Sequence, residues 1–555
     1  MKITVSELIV GFLQRLGIDV IFGMPGAHIL PVYDALYHSD IRAILAKHEQ
    51  GAAFMAGGYA RASGKIGACI ATAGPGATNL ITGVANAYAD KQPVLVVTGE
   101  APTYIFGKGG LQESSGEGGS FDQVALFAPI TRYCKSIQRT DYLGQVLVQA
   151  AKALRGPNPG PVLLSIPFNV QNETVDADLL DRITLPGPVT DHVHSDQSVT
   201  RFLELIDQAS HPVILAGYGT IRAGARQTLT ELSTLLRIPV TSSLKGKGVI
   251  NEQSELALGS LGVTSSGIAY QYIVENADLL IILGASFNER TSYLWDSALL
   301  ENRRIIQVDS DPNQLSKVFQ ADLAICDDIR AVLSSLIEAV KLRSRETHDA
   351  AQTIHTIGQM KTESKGDYTM FRSGFSLVEN FFQRLGRHFS QEIRVFDDNM
   401  IFAQNFYDVP NNHHYHPNSG ISSLGHAVPA AIGAQFGEQL PCFAVLGDGG
   451  FQMCCMELMT AVNYNQPLNV VVFNNATMGL IRKNQHQLYG QRYLNCDFEN
   501  PDFELLAQSF GIRYQSVSSE ADLDDLFDQL DLQHGINLID ITLDKNAFPN
   551  YSSKR

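Results

Sequence analysis

Residues 442–475 read CFAVLGDGGFQMCCMELMTAVNYNQPLNVVVFNN. An apolar run, Cys442 to Leu446, stops at Gly447-Asp448-Gly449-Gly450. A stretch with helical spacing follows, its apolar stripe being Phe451, Met456, Leu458, Met459 and Val462. A second apolar run, Leu468 to Phe473, stops at Asn474-Asn475. The pattern predicts strand, crossover helix, strand, and the right-handed crossover rule puts both strands in one parallel sheet. Asp448 and Asn475 then stand at the carboxyl end of that sheet, where α/β folds take ligands. A carboxylate, an amide oxygen and glycines that admit a close approach suit Mg²⁺ holding a diphosphate, because that ion takes oxygen ligands and keeps phosphates in its octahedron. A GDG by itself is equally the turn of an ordinary buried βαβ unit.

Around this stretch the chain alternates apolar runs with helical segments throughout, which predicts an α/β protein of doubly wound parallel sheets. Its 555 residues exceed a single core. Three units are expected, at 1–172, 190–342 and 373–548. A Pro- and acid-bearing linker within 171–195 and a polar, strand-free connector at 341–372 join them. In the first unit Ile41–Ala46, Ala68–Thr72, Val94–Thr98 and Val162–Ile166 are predicted strands, with helices at Glu49–Ala62 and Ala77–Ala89. The middle unit has strands at Pro212–Ala216, Leu279–Leu283 and Ile305–Val308. The first and third units share this architecture, as a duplication would leave them.

A net charge of −16 argues against nucleic acid and anionic lipid as partners. No run approaches the roughly 20 apolar residues that span a bilayer. The first residues, MKITVSELIVGFLQRLG, pattern as an amphipathic helix and not as a signal peptide. Seven cysteines without a CxxC point to reduced thiols and a cytoplasmic setting, with Cys454-Cys455 serving as core packing.

The words KHEQGAAFMAGGYARASG (47–64) and TAGPGATNLITGVANAYADKQPVLVVTGE (72–100) resemble the pyrimidine-binding domain of thiamin-diphosphate (ThDP) enzymes. Residues 442–475 resemble the diphosphate motif of the same family, with Asp448 and Asn475 at the family's spacing. The domain order, pyrimidine-binding, central Rossmann-like, diphosphate-binding, is that of the acetolactate synthase, pyruvate oxidase and benzaldehyde lyase group. The resemblance implies ThDP and Mg²⁺ as cofactors, with Asp448, Asn475 and the carbonyl of Thr477 as metal ligands. Gly447, Gly449, Gly450, Met478 and Gly479 would cradle the diphosphate, and Pro75 and Asn79 would lie at the pyrimidine end. Glu49 would hydrogen-bond the aminopyrimidine ring and drive its proton exchange, which a carboxyl does best when its surroundings raise its pKa. Leu424, in SGISSLGHAVPAAIGAQ (419–435), would wedge the cofactor into its bent form. Active sites of this group form between subunits, which implies at least a homodimer, usually a homotetramer.

The substrate end carries departures from the synthase pattern. Pro25-Gly26-Ala27-His28-Ile29 resembles the GAHI of benzaldehyde lyase, so Ala27 and His28 would face the reacting carbon, with His28 able to move protons. Leu111-Gln112-Glu113 resembles a motif whose glutamine faces substrate, but Ser114–Gly119 follow as an insertion. The Gly-rich stretch 107–119 is expected to be mobile unless a ligand or partner chain orders it. Phe287-Asn288-Glu289-Arg290 resembles the FDDR of acetolactate synthases. Arg290 could pair with a 2-oxo acid carboxylate, whereas the altered acids put FAD in doubt. Asn484 stands where biosynthetic synthases place a tryptophan, which argues against a dedicated branched-chain enzyme. The implied activity is a C–C lyase or transferase: decarboxylation of a 2-oxo acid, pyruvate first, and addition to a second carbonyl. The alternatives are an acyloin lyase, a cyclic-diketone hydrolase and a non-catalytic ThDP-binding partner.

Overall fold

The computed structural model describes residues 1–186, 194–342, 350–367 and 374–549. Each unit builds one six-stranded sheet, and every pairing within the three sheets is parallel. The central strands are apolar on both faces because helices cover both. Val94–Glu100 and Leu279–Leu283 are buried at every position.

The first sheet runs, edge to edge, Arg42–Leu45, Val20–Gly23, Gly67–Ala71, Val94–Glu100, Val162–Pro167, Tyr133–Ser136. The third runs His413–Pro417, Ile393–Asp397, Cys442–Gly447, Leu468–Asn474, Ile536–Thr542, Arg513–Val517. Numbered along the chain, both have the order 2-1-3-4-6-5, whereas the middle sheet is 3-2-1-4-5-6. In the third sheet the order reverses between Ile393–Asp397 and Cys442–Gly447. The carboxyl ends of these two strands therefore flank a natural crevice.

The first and third units touch through equivalent helices, Glu49–Ser63 and Ala427–Gln435. A Cβ at Gly58 would lie 2.1 Å from the Ala430 carbonyl oxygen, and one at Gly433 would lie 2.0 Å from that of Met55. Only glycine admits this backbone-to-backbone approach, and the small residues around it (Ala52, Ala53, Ala56, Ala431, Ala434) join both units in a single core.

Two expectations need correction, and a third gains detail. The predicted helix after Gly450 is broken into Asp448–Gln452, a 3₁₀ turn Cys455–Glu457 and Leu458–Asn463. The break lets Glu457 accept hydrogen bonds from the N–H groups of Lys47 and His48 at 3.0–3.1 Å. It also turns Met456 outward, 55% exposed, off the apolar stripe. The 171–195 linker is partly folded: Thr174–Asp176 pairs antiparallel with Lys2–Thr4, tying the chain start to the end of the first unit; residues 187–193 of it lie outside the described residues. The polar connector holds a helix, Ala350–Asp367, whose Ile357 and Met360 are buried against the middle unit. Among the described residues no helix is long and apolar enough to cross a membrane.

Candidate active site

Every strand of the first sheet points its carboxyl end the same way, and the loops there collect one set of predicted residues. Glu49 opens the helix Glu49–Ser63, capped by His48, whose Nδ1 accepts from the Gln50 N–H. Asn79, one turn into the helix Pro75–Ala89, donates its Nδ2 to Glu49 Oε2 at 2.9 Å. Pro75 occupies the first position of that helix, where a missing N–H costs nothing. Gly76 brings the helix start within reach of Glu49: a Cβ there would lie 3.4 Å from Oε1.

A second group adjoins it. His28 Nδ1 and Gln112 Oε1 are 3.2 Å apart, and Thr72 Oγ1 donates to the same Gln112 oxygen at 3.2 Å. His28 is buried, its N–H on Thr72 Oγ1 and its carbonyl accepting from Gln171 Nε2, while neighbouring Ala27 is exposed. Gln112 holds a left-handed backbone, φ 54°, against Gly74, whose Cβ would stand 3.1 Å from that of Gln112. A non-glycine residue kept in that region marks a conformation imposed by its surroundings. Those surroundings are the Gly-rich stretch 107–119. Glu113 accepts the N–H groups of Gly107, Gly109 and Gly110 and the hydroxyl of Ser115; these bonds hold its carboxyl below the usual range. Ser114 gives its N–H and hydroxyl to buried Glu100, at the end of the strand Val94–Glu100. Within the Gly-rich stretch the Glu113 carboxylate thus gathers three glycine N–H groups of its own loop.

The third unit holds the other set. Leu424, Gly447, Asp448, Gly449, Gly450, Asn475, Thr477, Met478 and Gly479 all line one cavity of about 250 Å³, together with Asp398, Asn399 and Met400. Four donors fix the Asp448 carboxylate. Oδ1 accepts from Gly449 N at 2.9 Å; Oδ2 accepts from Asn475 N at 3.2 Å, Ala476 N at 2.6 Å and Asn500 Nδ2 at 2.9 Å. Burial still pushes its pKa up, so a carboxylate in this place gains from a cation beside it. Gly447 faces open cavity, with nothing within 4 Å of a Cβ placed there, whereas a Cβ on Gly449 would strike Met478 Sδ at 2.6 Å. Ala476, with φ 52°, turns the chain between Asn475 and Thr477, and the loop is pinned by Met478 N and Thr477 Oγ1 on the Cys496 carbonyl. One carboxylate, one amide and a backbone oxygen around open space fit Mg²⁺ and a diphosphate.

Two residues that sequence reasoning missed hold this site. Asn500 bridges Asp448 and Asn474 Oδ1; it lies in a loop without periodicity and gave no signal. Asp398 accepts the N–H groups of Gly425 (2.6 Å) and His426 (3.0 Å), directly after Leu424. Burial raises its pKa to about 6 and that of adjacent Asp397 to about 7. The acid pair at the end of the strand Ile393–Asp397, whose run of apolar residues is interrupted by Arg394, was a weaker clue than Asp448.

Arg290 crosses between units: Nη1 donates to Asn399 Oδ1 on the cavity wall, and Nη2 to Thr264 Oγ1 and Gln404 Oε1. Asn484 is half-buried on the helix Gly479–Leu488, outside the cavity lining. No residue of the first unit lines this cavity, so one chain does not bring Glu49 and Asp448 to a common pocket.

Two sets of residues, a carboxylate at the start of a glycine-rich helix and an aspartate at a cavity of about 250 Å³, fit a thiamin-diphosphate enzyme. Family comparisons agree along the chain. Residues 3–126 match the N-terminal TPP-binding domain of thiamine pyrophosphate enzymes, 199–336 the central domain and 398–541 the C-terminal TPP-binding domain. The chain belongs to this family. It is 32% identical to a probable acetolactate synthase large subunit of Methanococcus aeolicus, over 98% of this chain and 92% of the relative. Acetolactate synthase large subunits of Corynebacterium glutamicum and Lactococcus lactis are also 32% identical, over 92% and 94% of this chain and 82% and 89% of theirs.

Proposed function

We propose that this protein is an acetolactate synthase-like carboligase. It would decarboxylate a 2-oxo acid, pyruvate first, and join the remaining two-carbon unit to a second carbonyl compound. The observation that carries this reading is the pairing of an intact Glu49–Asn79 contact with a cavity built on Asp448, Asn475 and Thr477. Bound ThDP supplies a centre that stabilises the carbanion. Asp448, Asn475 and the Thr477 carbonyl would hold Mg²⁺, with the diphosphate against Gly447, Gly449, Gly450, Met478 and Gly479. Glu49, held by Asn79, would pass a proton to and from the pyrimidine ring. Gln112, oriented by Thr72 and His28, presents its amide to a substrate oxygen, and His28 moves a proton there. Arg290 and Asn484, both outside the cavity lining, would act on substrate from its margin, and Leu424, which lines the cavity, would back the bound cofactor. FAD has no task in this scheme.

The two half-sites complete each other between chains. Both are rimmed by apolar side chains that a single chain leaves exposed, Leu30 and Leu111 near His28 and Gln112, Ile421 and Met453 near Leu424. Such rims are typical of surfaces that meet another protein. A homodimer is the minimal active unit, and a cytoplasmic homotetramer the assembly this reading favours.

The test is proton NMR of pure protein with ThDP, Mg²⁺ and pyruvate. Acetolactate or acetoin should form with the wild type and not with Glu49→Gln. Unchanged pyruvate would remove the donor assignment and favour the acyloin chemistry to which Ala27-His28 points.

A further inference from the structure

A second cavity, about 1030 Å³, lies where the three units meet, on the side of the first sheet away from His28 and Gln112. Its walls include the turns that lead into the strands Gly67–Ala71 and Val94–Glu100, the helix Tyr218–Arg222 and the edge strand His413–Pro417. Arg61 marks its distance from the chemistry: it ends the helix that Glu49 begins, 12 residues or roughly 18 Å along the axis.

Seven cationic side chains line this cavity against two carboxylates, Glu392 and Glu438, in a chain whose net charge is −16. Four of the cations are matched by acids: Arg61 by Asp90, Lys65 by Asp19, Lys91 by Asp311 and Arg394 by Glu438. Arg155, Arg222 and Arg226 form no ion pair among the described residues. Arg155 donates to the Leu16 carbonyl, Arg222 to Ser310 Oγ, and Arg226 meets His414 Nδ1 at 2.9 Å. Burial lowers the pKa of Arg226. His416, also on the wall, is pushed far down by burial and then by Arg61, His414, Arg394 and Arg226, and its Nε2 has no hydrogen-bond partner. Arg155, Arg222 and Arg226 thus line the cavity without an ion pair among the described residues, with Glu392 acting on Arg226 and Asp309 on Arg222 at longer range, so positive side chains outnumber negative ones on its wall. Such a field is costly when empty and is relieved by an anion.

We propose that this three-unit cavity is a binding site for a small phosphorylated polyanion, held by Arg222 and Arg226 from the middle unit and Arg155 from the first. Planar guanidinium forks match phosphate oxygens two at a time, and a volume near 1000 Å³ accepts a nucleotide as readily as an inorganic diphosphate. Arg61 connects the site to the cofactor end. Besides Asp90 it bonds the Pro417 carbonyl at 2.8 Å, and Asp90 lies against Gly420, four residues before Leu424. The two possible sources, a free nucleotide and an inorganic diphosphate, share the phosphate chemistry and differ in the base and sugar.

Equilibrium dialysis of radiolabelled ADP and radiolabelled pyrophosphate against holoenzyme tests this. Excess ThDP and Mg²⁺ keep the cofactor site filled. Wild type should retain about one probe per chain, and Arg222→Met/Arg226→Met should weaken it at least tenfold while leaving turnover with pyruvate and the melting temperature unchanged. ADP bound tenfold more tightly than pyrophosphate assigns the site to a nucleotide; equal affinities assign it to the diphosphate alone. No retention of either probe by wild type, or equal retention by the double variant, overturns the proposal. Neither outcome bears on the carboligase reading, which rests on Glu49 and Asp448.

Discussion

The first and third units are the same sheet used for two purposes. Both follow the order 2-1-3-4-6-5, and the helix after the second strand of one, Glu49–Ser63, packs on its counterpart Ala427–Gln435 in the other. What differs is where each unit keeps its carboxylate. The first places Glu49 at a helix start, half-buried with a single amide donor from Asn79. The third places Asp448 at the tip of a central strand, buried among four donors. Under the proposed function the first acid would exchange a proton with the cofactor and the second would hold the metal. The comparison teaches that the scaffold decides which tip faces the ligand, while the loops decide whether the acid there moves protons or holds charge.

The comparison can be broken at either acid, and the largest effect belongs there. Glu49→Gln keeps the Asn79 contact and the fold but removes the proton; turnover should fall by about 10²–10⁴-fold, the range of general acid–base catalysis, with ThDP affinity nearly unchanged. Asp448→Asn should instead fail at loading, with ThDP and Mg²⁺ binding lost in calorimetry and turnover recovered only in part at high metal. If both variants failed in the same way, the division of labour would be wrong.

Next in size is Asn500→Ala. It removes one of the four donors that aim Asp448, and partners of this kind are worth about 10–100-fold in metal affinity. Titration of Mg²⁺ at saturating ThDP measures it, and an unchanged affinity would strip Asn500 of its role. At the contact between the two halves, Gly58→Val forces side-chain atoms into the Ala430 backbone. Overpacking of this sort costs about 1–3 kcal/mol, visible as a lower melting temperature in wild-type and Glu49→Gln backgrounds alike.

A further effect, on stability alone, is one of pH. Burial raises Asp397 to about 7 and Asp398 to about 6 from an ordinary value of 3.8. A carboxyl raised in the folded state binds its proton more tightly there than when unfolded. Its stabilising protonated form is fully present below pH 4 and is lost as pH rises through 6 and 7. Between pH 4 and 7 the wild type should therefore lose stability relative to Asp397→Asn in denaturant titrations. Parallel curves would show that the pair does not titrate in that window.

Much of this was legible in the sequence, for physical reasons that can be stated. Strands buried on both faces, such as Leu279–Leu283 and Cys442–Leu446, appear as unbroken apolar runs, and the acids at their ends stand out against them. Asp448 and Asn475, at the tips of such runs, could be found in this way, whereas Glu49 follows the largely exposed strand Arg42–Leu45 and was found through the resemblance of the words around it. Contacts made across the fold were not legible. Glu457 reaching the N–H groups of Lys47 and His48 broke a helix that periodicity drew as continuous. Asn500 acts 52 positions from Asp448, and nothing local distinguishes it from a loop asparagine. In the 107–119 stretch glycine content signalled freedom, yet the carboxylate of Glu113 within the same loop gathers three of its glycine N–H groups. Composition reports the freedom of the backbone and is silent on what restrains it.

The central claim is that the two carboxylates serve one site from two copies of the chain. Inactive Glu49→Gln and inactive Asp448→Asn chains, unfolded together and refolded as a mixture, test it most directly. Hybrid dimers then carry one site with both acids intact, and random assortment should return about a quarter of wild-type turnover with pyruvate. A mixture as inactive as its parents, with hybrid dimers demonstrated by mass spectrometry, would place both acids in a single chain's site and contradict the account.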